Sequence, residues 1–208
     1  MRAQTAVVLG ATGLIGELLL QELLANVAFS HVRVLARRPL QMQHPKLEVV
    51  VTNFNDFDAY RQHLGTGDCI FCCIGTTRAK VKGNQTQYRM IDFDIPVNAA
   101  RFGKEAGFTQ FLLVSAAGAN SNSTIFYSRL KGEVETVIDS FGFSSFHVFR
   151  PGLLLGKRTE WRPGEAVARL LSPLYNPLLP ARYKSIAAHT VARAMVAAAQ
   201  QPAAGMQV

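Results

Sequence analysis

The chain has 208 residues, 49% of them hydrophobic and 17% charged. That composition excludes an intrinsically disordered chain and suits one globular domain. A formal net charge of +8 favours anionic ligands such as nucleotides, phosphorylated substrates, nucleic acid or acidic lipid, without choosing among them.

"TAVVLGA" (5–11) is a short apolar run ending in glycine and reads as a buried strand. The next segment sets Leu14, Ile15, Leu18, Leu19, Leu23 and Leu24 on one side and Glu17, Gln21 and Glu22 on the other, an amphipathic helix. Strands are expected over 31–39, 46–53, 67–75, 109–118 and 143–152. Helices are expected over 56–64, within 84–107 with Gly107 as its C-terminal cap, over 126–141, and over 187–200. "GMQV" begins a last edge strand. Strands alternating with helices imply an α/β fold, a doubly wound Rossmann-type parallel sheet with helices on both faces. The whole chain, 1–208, reads as a single domain, with 152–186 a small substrate-facing region rich in Pro, Leu and Arg.

The three cysteines, Cys69, Cys72 and Cys73, share one apolar strand. An odd count argues against a disulfide framework, and positions 69 and 72 point to opposite faces of a strand, so a shared metal is not expected. Reduced, buried thiols fit a reducing compartment, and a cytoplasmic location is expected. No segment reaches the ~18 uninterrupted apolar residues of a transmembrane helix. No small-residue cleavage pattern follows the first apolar run, so no signal peptide is expected.

"GATGLIG" joins the first strand to the first helix, with Gly10, Gly13 and Gly16 at G-x-x-G-x-x-G spacing. Glycines here permit a tight turn and a close approach of backbone to a pyrophosphate. The first helical turn then offers N–H groups and positive dipole to the phosphates. A site for NAD usually carries an acid after the second strand, for the ribose 2′-hydroxyl. Here no Asp or Glu lies between Glu22 and Glu48, and the second strand ends in Arg37 and Arg38. Arginine pairs with a 2′-phosphate and stacks on adenine, which favours NADP(H) over NAD. Asn53, at the end of the third strand, is a further candidate for the adenine edge.

"YSRLK" places Tyr127 and Lys131 four residues apart on one helical face. A free phenol titrates near pH ~10, too high for acid–base work near neutrality, and a nearby ammonium lowers that value. Tyr127 is therefore the candidate proton donor and acceptor for hydride transfer, with Lys131 tuning it or holding the nicotinamide ribose. The spacing alone is a weak signal. Its place after the fifth strand of a dinucleotide-binding pattern is what raises it.

"GATGLIG", "VSAAG", "YSRLK" and "FRPG" occur in the order and spacing of the short-chain dehydrogenase/reductase family, and the chain resembles its atypical subgroup over nearly its whole length. "CCIGTTR", "YSRLKGEVE" and "FRPGLLLG" are similar to the Tat-interacting-protein type of NAD(P)-binding oxidoreductase. The resemblance implies cofactor contacts along Gly10, Thr12, Gly13, Leu14, Ile15 and Gly16, and at Arg37 and Arg38. It implies further backbone contacts at Cys73, Ile74, Gly75 and Thr76, and at Pro151, Gly152 and Leu153. It places Tyr127 and Lys131 in the active site, and a homodimer is common in the wider family. Members with full activity carry a hydroxyl near the end of the fifth strand. Ser115 is the candidate, but the two positions after it are Ala116 and Ala117, and Ser121, Ser123 and Thr124 in the following loop are alternatives.

Two functions from different classes follow. One is an NADPH-dependent oxidoreductase acting on an unidentified small-molecule carbonyl, alcohol or activated double bond. The other is a non-catalytic NADPH-binding redox sensor, regulator or assembly partner. The stretch from Ala166 to Val208 holds no acidic residue but contains Arg169, Arg182, Lys184, His189 and Arg193. It reads as a solvated basic surface, or as a guide for an anionic substrate, acidic lipid or a partner. Few aromatics are interleaved with these charges, so nucleic-acid binding is not expected.

Overall fold

In the computed structural model, residues 3–155, 180 and 183–208 are described. The first strand, β1 (Gln4–Leu9), leads into α1 (Leu14–Ala25), β2 (Phe29–Ala36) and β3 (Leu47–Val51). Then come α2 (Phe57–Leu64), β4 (Cys69–Cys72), and a helical segment made of α3 (Gln85–Arg89), a π-helical turn (Met90–Asp94) and α4 (Ile95–Glu105). The chain continues through β5 (Gln110–Val114), α5 (Phe126–Ser140), β6 (Ser145–Phe149) and the two-residue β7 (Leu154–Leu155). After the undescribed stretch come β8 (Ile186–Ala187), α6 (Ala188–Gln200) and β9 (Gly205–Gln207).

Seven strands form one sheet in the order β3-β2-β1-β4-β5-β6-β9, parallel throughout. The order reverses between β1 and β4, which opens a crevice at the carboxyl ends of these two strands, where ligands bind in open α/β sheets. The expected α/β, doubly wound Rossmann-type sheet is therefore what the chain builds, and "GMQV" does supply its last edge strand.

Side chains alternate along each strand to feed two cores. Ala6, Val8, Cys69, Phe71 and Leu112 pack against α1 and α6 on one face. Val7, Leu9, Ile70, Cys72, Phe111 and Leu113 pack on the other face, with Tyr60 of α2, Ala99 of α4 and Val134 of α5. Each fully buried Leu or Phe contributes roughly 1.5–3 kcal/mol. Cys69 and Cys72 fall in different cores, as their strand positions require, and all three thiols are free.

Two features differ from expectation. The helix expected within 84–107 is interrupted by the π-helical turn at Met90–Asp94. Pro96 explains it: proline has no N–H, and its ring clashes with the carbonyl four residues back, here Asp92. The turn widens instead, and the Ile95 N–H reaches the Met90 carbonyl five residues back. The second feature is the small parallel pair β7–β8, which joins Leu154 to Ile186 at the two ends of the region 152–186. Most of that region lies outside the described residues, including Arg169 and Arg182 of the basic stretch.

Candidate functional site

The loop after β1 is built on backbone proximity. Gly10 has φ +82°, and a Cβ there would meet the Cys73 carbonyl carbon at 2.6 Å. A Cβ on Gly16 would meet the Gly10 carbonyl oxygen at 2.1 Å. The turn therefore lies flat on the start of the β4 loop, and the Cys73 N–H bonds the Leu9 carbonyl at 2.9 Å to fix the two strand ends together. Gly13 is the N-cap of α1 and brings no capping side chain. Thr12 and Gly13 are exposed, while Ile15 and Gly16 turn inward under the loop. First-turn amides thus remain for an anionic group at the crevice.

Arg37 and Arg38 are exposed just beyond β2. Arg37 lines a cleft of about 420 Å³ together with Thr52, Asn53, Phe54, Met90 and Ile91. Asn53 is exposed, and its side-chain oxygen accepts the Asn55 N–H at 3.1 Å. Volume and lining suit the planar base and ribose of a nucleotide, with one cation at the rim.

Tyr127 sits in the opening turn of α5 and is 42% exposed. Its ring stands edge-on to Tyr88 of α3, centroids 6.5 Å apart, and the Tyr88 hydroxyl donates to the Thr76 carbonyl at 3.1 Å. One turn further on, Lys131 is buried, with its Nζ 3.0 Å from Asp92 Oδ1. Asp92 is fully buried on the π-helical turn. Its Oδ1 has no aligned hydrogen bond, so the contact with Lys131 is an ion pair, while Oδ2 accepts the Thr76 N–H at 2.7 Å. Burial pulls the Lys131 pKa down, but the Asp92 carboxylate, with smaller help from Tyr127 and Cys72, outweighs it and leaves the pKa raised. The ammonium therefore stays charged in a dry site.

Ser115 is buried, and its hydroxyl donates to Glu135 of α5. Glu135 is itself buried and also receives Arg150, through Nε at 3.1 Å and through a terminal guanidinium nitrogen. The Ser115 hydroxyl is thus committed to a polar network that ties the ends of β5 and β6 to α5. Of the loop alternatives, Ser123 accepts the Ile125 N–H at 3.1 Å where α5 begins. Pro151–Leu153 runs beside the end of β5: the Ala117 N–H bonds the Pro151 carbonyl at 3.1 Å, and the Ile186 N–H bonds the Leu153 carbonyl at 2.9 Å.

Asp92 and Glu135 are the residues that sequence reading passed over. Both carried a signal. Tyr88, Asp92 and Ile95 fall on one helical stripe, as do Lys131, Glu135 and Ile138, and an acid on an inward stripe requires a buried partner.

Residues 10–202 match the family model described as NAD(P)H-binding. The chain belongs to the NAD(P)H-binding family. Among relatives within its reach, Protein HTATIP2 of Rattus norvegicus is 37% identical over 172 residues, 81% of this chain and 70% of that one. "Protein fmp52, mitochondrial" of Aspergillus niger is 35% identical over 167 residues, 77% of this chain and 71% of that one. The resemblance to the Tat-interacting-protein type is thereby borne out. Among solved structures, the Bordetella bronchiseptica enzyme WbmH in complex with NAD+ superposes with a TM-score of 0.76 at 16% identity, covering 99% of this chain and 75% of that one. MoeE5 in complex with UDP-glucose and NAD gives 0.71 at 17% identity, covering 97% and 74%. At these identities the likeness is one of fold. Among the described residues, no helix is long and apolar enough to cross a membrane, and no group of His, Cys, Asp and Glu could hold a metal.

Proposed function

We propose that this chain is an NADPH-dependent oxidoreductase that reduces a carbonyl or activated double bond, with Tyr127 as proton donor. The observation that carries it is the placement of Tyr127, beside a buried, charged Lys131, around a β4 loop that also packs against Gly10. A glycine turn that no Cβ could enter and an uncapped helix N-terminus fit a pyrophosphate. The cleft at Arg37 and Asn53 fits the adenosine half, with Arg37 and Arg38 meeting a 2′-phosphate. Backbone at Cys73–Thr76 and Pro151–Leu153 would line the nicotinamide half.

A reduced dinucleotide bound here would supply a hydride to the substrate carbon. As negative charge grows on the substrate oxygen, the Tyr127 hydroxyl donates its proton to it. Lys131 stabilises the phenolate left behind, and its remaining N–H groups would hold the nicotinamide ribose. Solvent access at Tyr127 returns the proton. Reduced thiols at Cys69, Cys72 and Cys73 support a cytoplasmic or similarly reducing setting, and a homodimer is the assembly we favour.

Replacing Tyr127 with Phe tests the reading. Oxidation of NADPH in the presence of aldehyde and quinone probes is expected to fall about 10²–10⁴-fold, with NADPH affinity unchanged. Undiminished turnover in that variant would remove Tyr127 from the chemistry.

A second reading rests on Ser115. With its hydroxyl held by Glu135 and alanines at 116 and 117, carbonyl polarisation is weakened while cofactor binding is untouched. The protein would then bind NADPH as a redox sensor or assembly partner. Sustained NADPH consumption by the unmodified protein with any of the probes rejects it.

A further inference from the structure

Asp92 has no place in the proton transfer just described, yet it is fully buried and sits where the helix leaves its regular path. We propose that Asp92 is a positioning residue: it clamps Lys131 to the β4 loop, and its charge opposes the pull of Lys131 on a phenolate at Tyr127. This rests on the assignment of Tyr127 as the proton-transfer group.

The clamp is geometric. One carboxylate oxygen lies 3.0 Å from Lys131 Nζ, and the other accepts the Thr76 N–H at 2.7 Å. Thr76 in turn accepts the Tyr88 hydroxyl at 3.1 Å, and Tyr88 stands edge-on to Tyr127. Four elements meet in this closed circuit: the π-helical turn, the β4 loop, α3 and α5. The circuit depends on the turn that Pro96 imposes. A regular helix advances ~100° per residue, so its extra residue changes the direction in which position 92 points.

The electrostatic consequence follows from signs. Lys131 alone lowers the phenol pKa, because it attracts the phenolate. Asp92 repels the phenolate and offsets that pull. Without Asp92, burial would loosen the lysine's hold on its proton, but a phenolate at Tyr127 would itself keep the ammonium charged. The pair is a compromise in which the lysine stays charged and the tyrosine stays protonated until a substrate oxygen takes the proton. The other groups around it do not compete. Cys72 of β4 is held neutral, burial pushing its thiol up to about 11. Tyr88 of α3 donates its hydroxyl to Thr76. Arg89 of α3 is paired with Glu133 of α5 at 2.9 Å, with Arg129 of α5 at 3.8 Å from the same carboxylate. Glu135 of α5 is paired with Arg150 beyond β6.

The test is a phenolate titration by ultraviolet difference spectroscopy against the Tyr127→Phe variant, with neither cofactor nor substrate present. It therefore fails or succeeds independently of turnover. Asp92→Asn keeps the shape and an acceptor for Thr76 but removes the charge. The Tyr127 phenol is expected to titrate roughly one pH unit lower, and the alkaline limb of NADPH oxidation to move the same way. An unchanged or higher titration would overturn the proposal. A merely structural role would lower melting temperature without that shift. The double variant Asp92→Asn/Lys131→Met carries no charge at either position, and it keeps the question open to measurement if the single variant fails to fold. Its phenol is expected to titrate as in the unmodified protein. An upward shift of about one unit there would mean that Lys131 alone sets the phenol, and would also overturn the proposal.

Discussion

Cofactor preference under the proposed function comes down to two side chains. Arg37 and Arg38 are exposed, neither has an ion-pair partner among the described residues, and Arg37 is on the rim of the cleft that Asn53 also lines. A guanidinium paired with a phosphate contributes on the order of 1.5–3 kcal/mol. Changing both arginines to Ala is therefore expected to weaken NADPH binding about tenfold or more, with little effect on NADH. Fluorescence titration of the two nucleotides measures this. Equal losses for both would place the arginines elsewhere than at the 2′-phosphate. Tyr127 and Lys131 illustrate a different point at the same scale. Their spacing on one face was legible in "YSRLK", but spacing says nothing of depth. The tyrosine is 42% exposed and the lysine 5%, and that difference suits one to proton exchange and the other to a fixed charge.

α5 carries the candidate chemistry, and its position is set by how closely the preceding loop can approach. A Cβ on Gly132 would meet the Ser121 amide nitrogen at 2.1 Å and the Asn120 carbonyl carbon at 2.4 Å. These are backbone atoms, so the clash cannot be relieved by a rotamer change. Gly132→Ala is expected to push the Asn120–Ser123 loop off the helix and to cost about 1–3 kcal/mol in urea unfolding. Tyr127→Phe, at an exposed position on the same helix, is expected to unfold like the unmodified protein. One turn further on, α5 is also anchored by Glu135, which takes both the Ser115 hydroxyl and the Arg150 guanidinium. The helix expected within 84–107 was readable from its periodicity, but the π-helical turn inside it was not. Pro96 announces that the helix must yield somewhere near it, whereas the form of the distortion depends on what Asp92 finds to bind.

Across the whole molecule, the parallel sheet has polar groups at one end under α6 that find no partner among the described residues. The side-chain oxygens of Gln110 and Ser145 are buried in this way, and so is Nε2 of His147 on β6. Burial lowers the His147 pKa from its ordinary value of 6.5. The unfolded chain then binds the proton more readily than the folded one, so stability is lost as pH falls from the unfolded value through the folded one. Thermal melts between neutral and mildly acidic pH are expected to show a falling midpoint, and His147→Gln to flatten that slope. A slope unaffected by the substitution would assign the acid sensitivity to other groups.

Alternating apolar strands and amphipathic helices are local patterns, each driven by burial of its own face, so the chain by itself determined the α/β class, the parallel sheet and the glycine turn at Gly10–Gly16. The bare arginines after the second strand were equally visible, because the missing acid is a fact of composition. Contacts between distant segments were decided only in three dimensions. Asp92 and Lys131 belong to different helical segments, and Ser115, Glu135 and Arg150 to three successive elements; nothing local says which will meet. A buried charge must find its partner from another element or stay unpaired at large cost. The stacking of those elements on the sheet therefore chose the lysine for Asp92 and gave the Ser115 hydroxyl to Glu135.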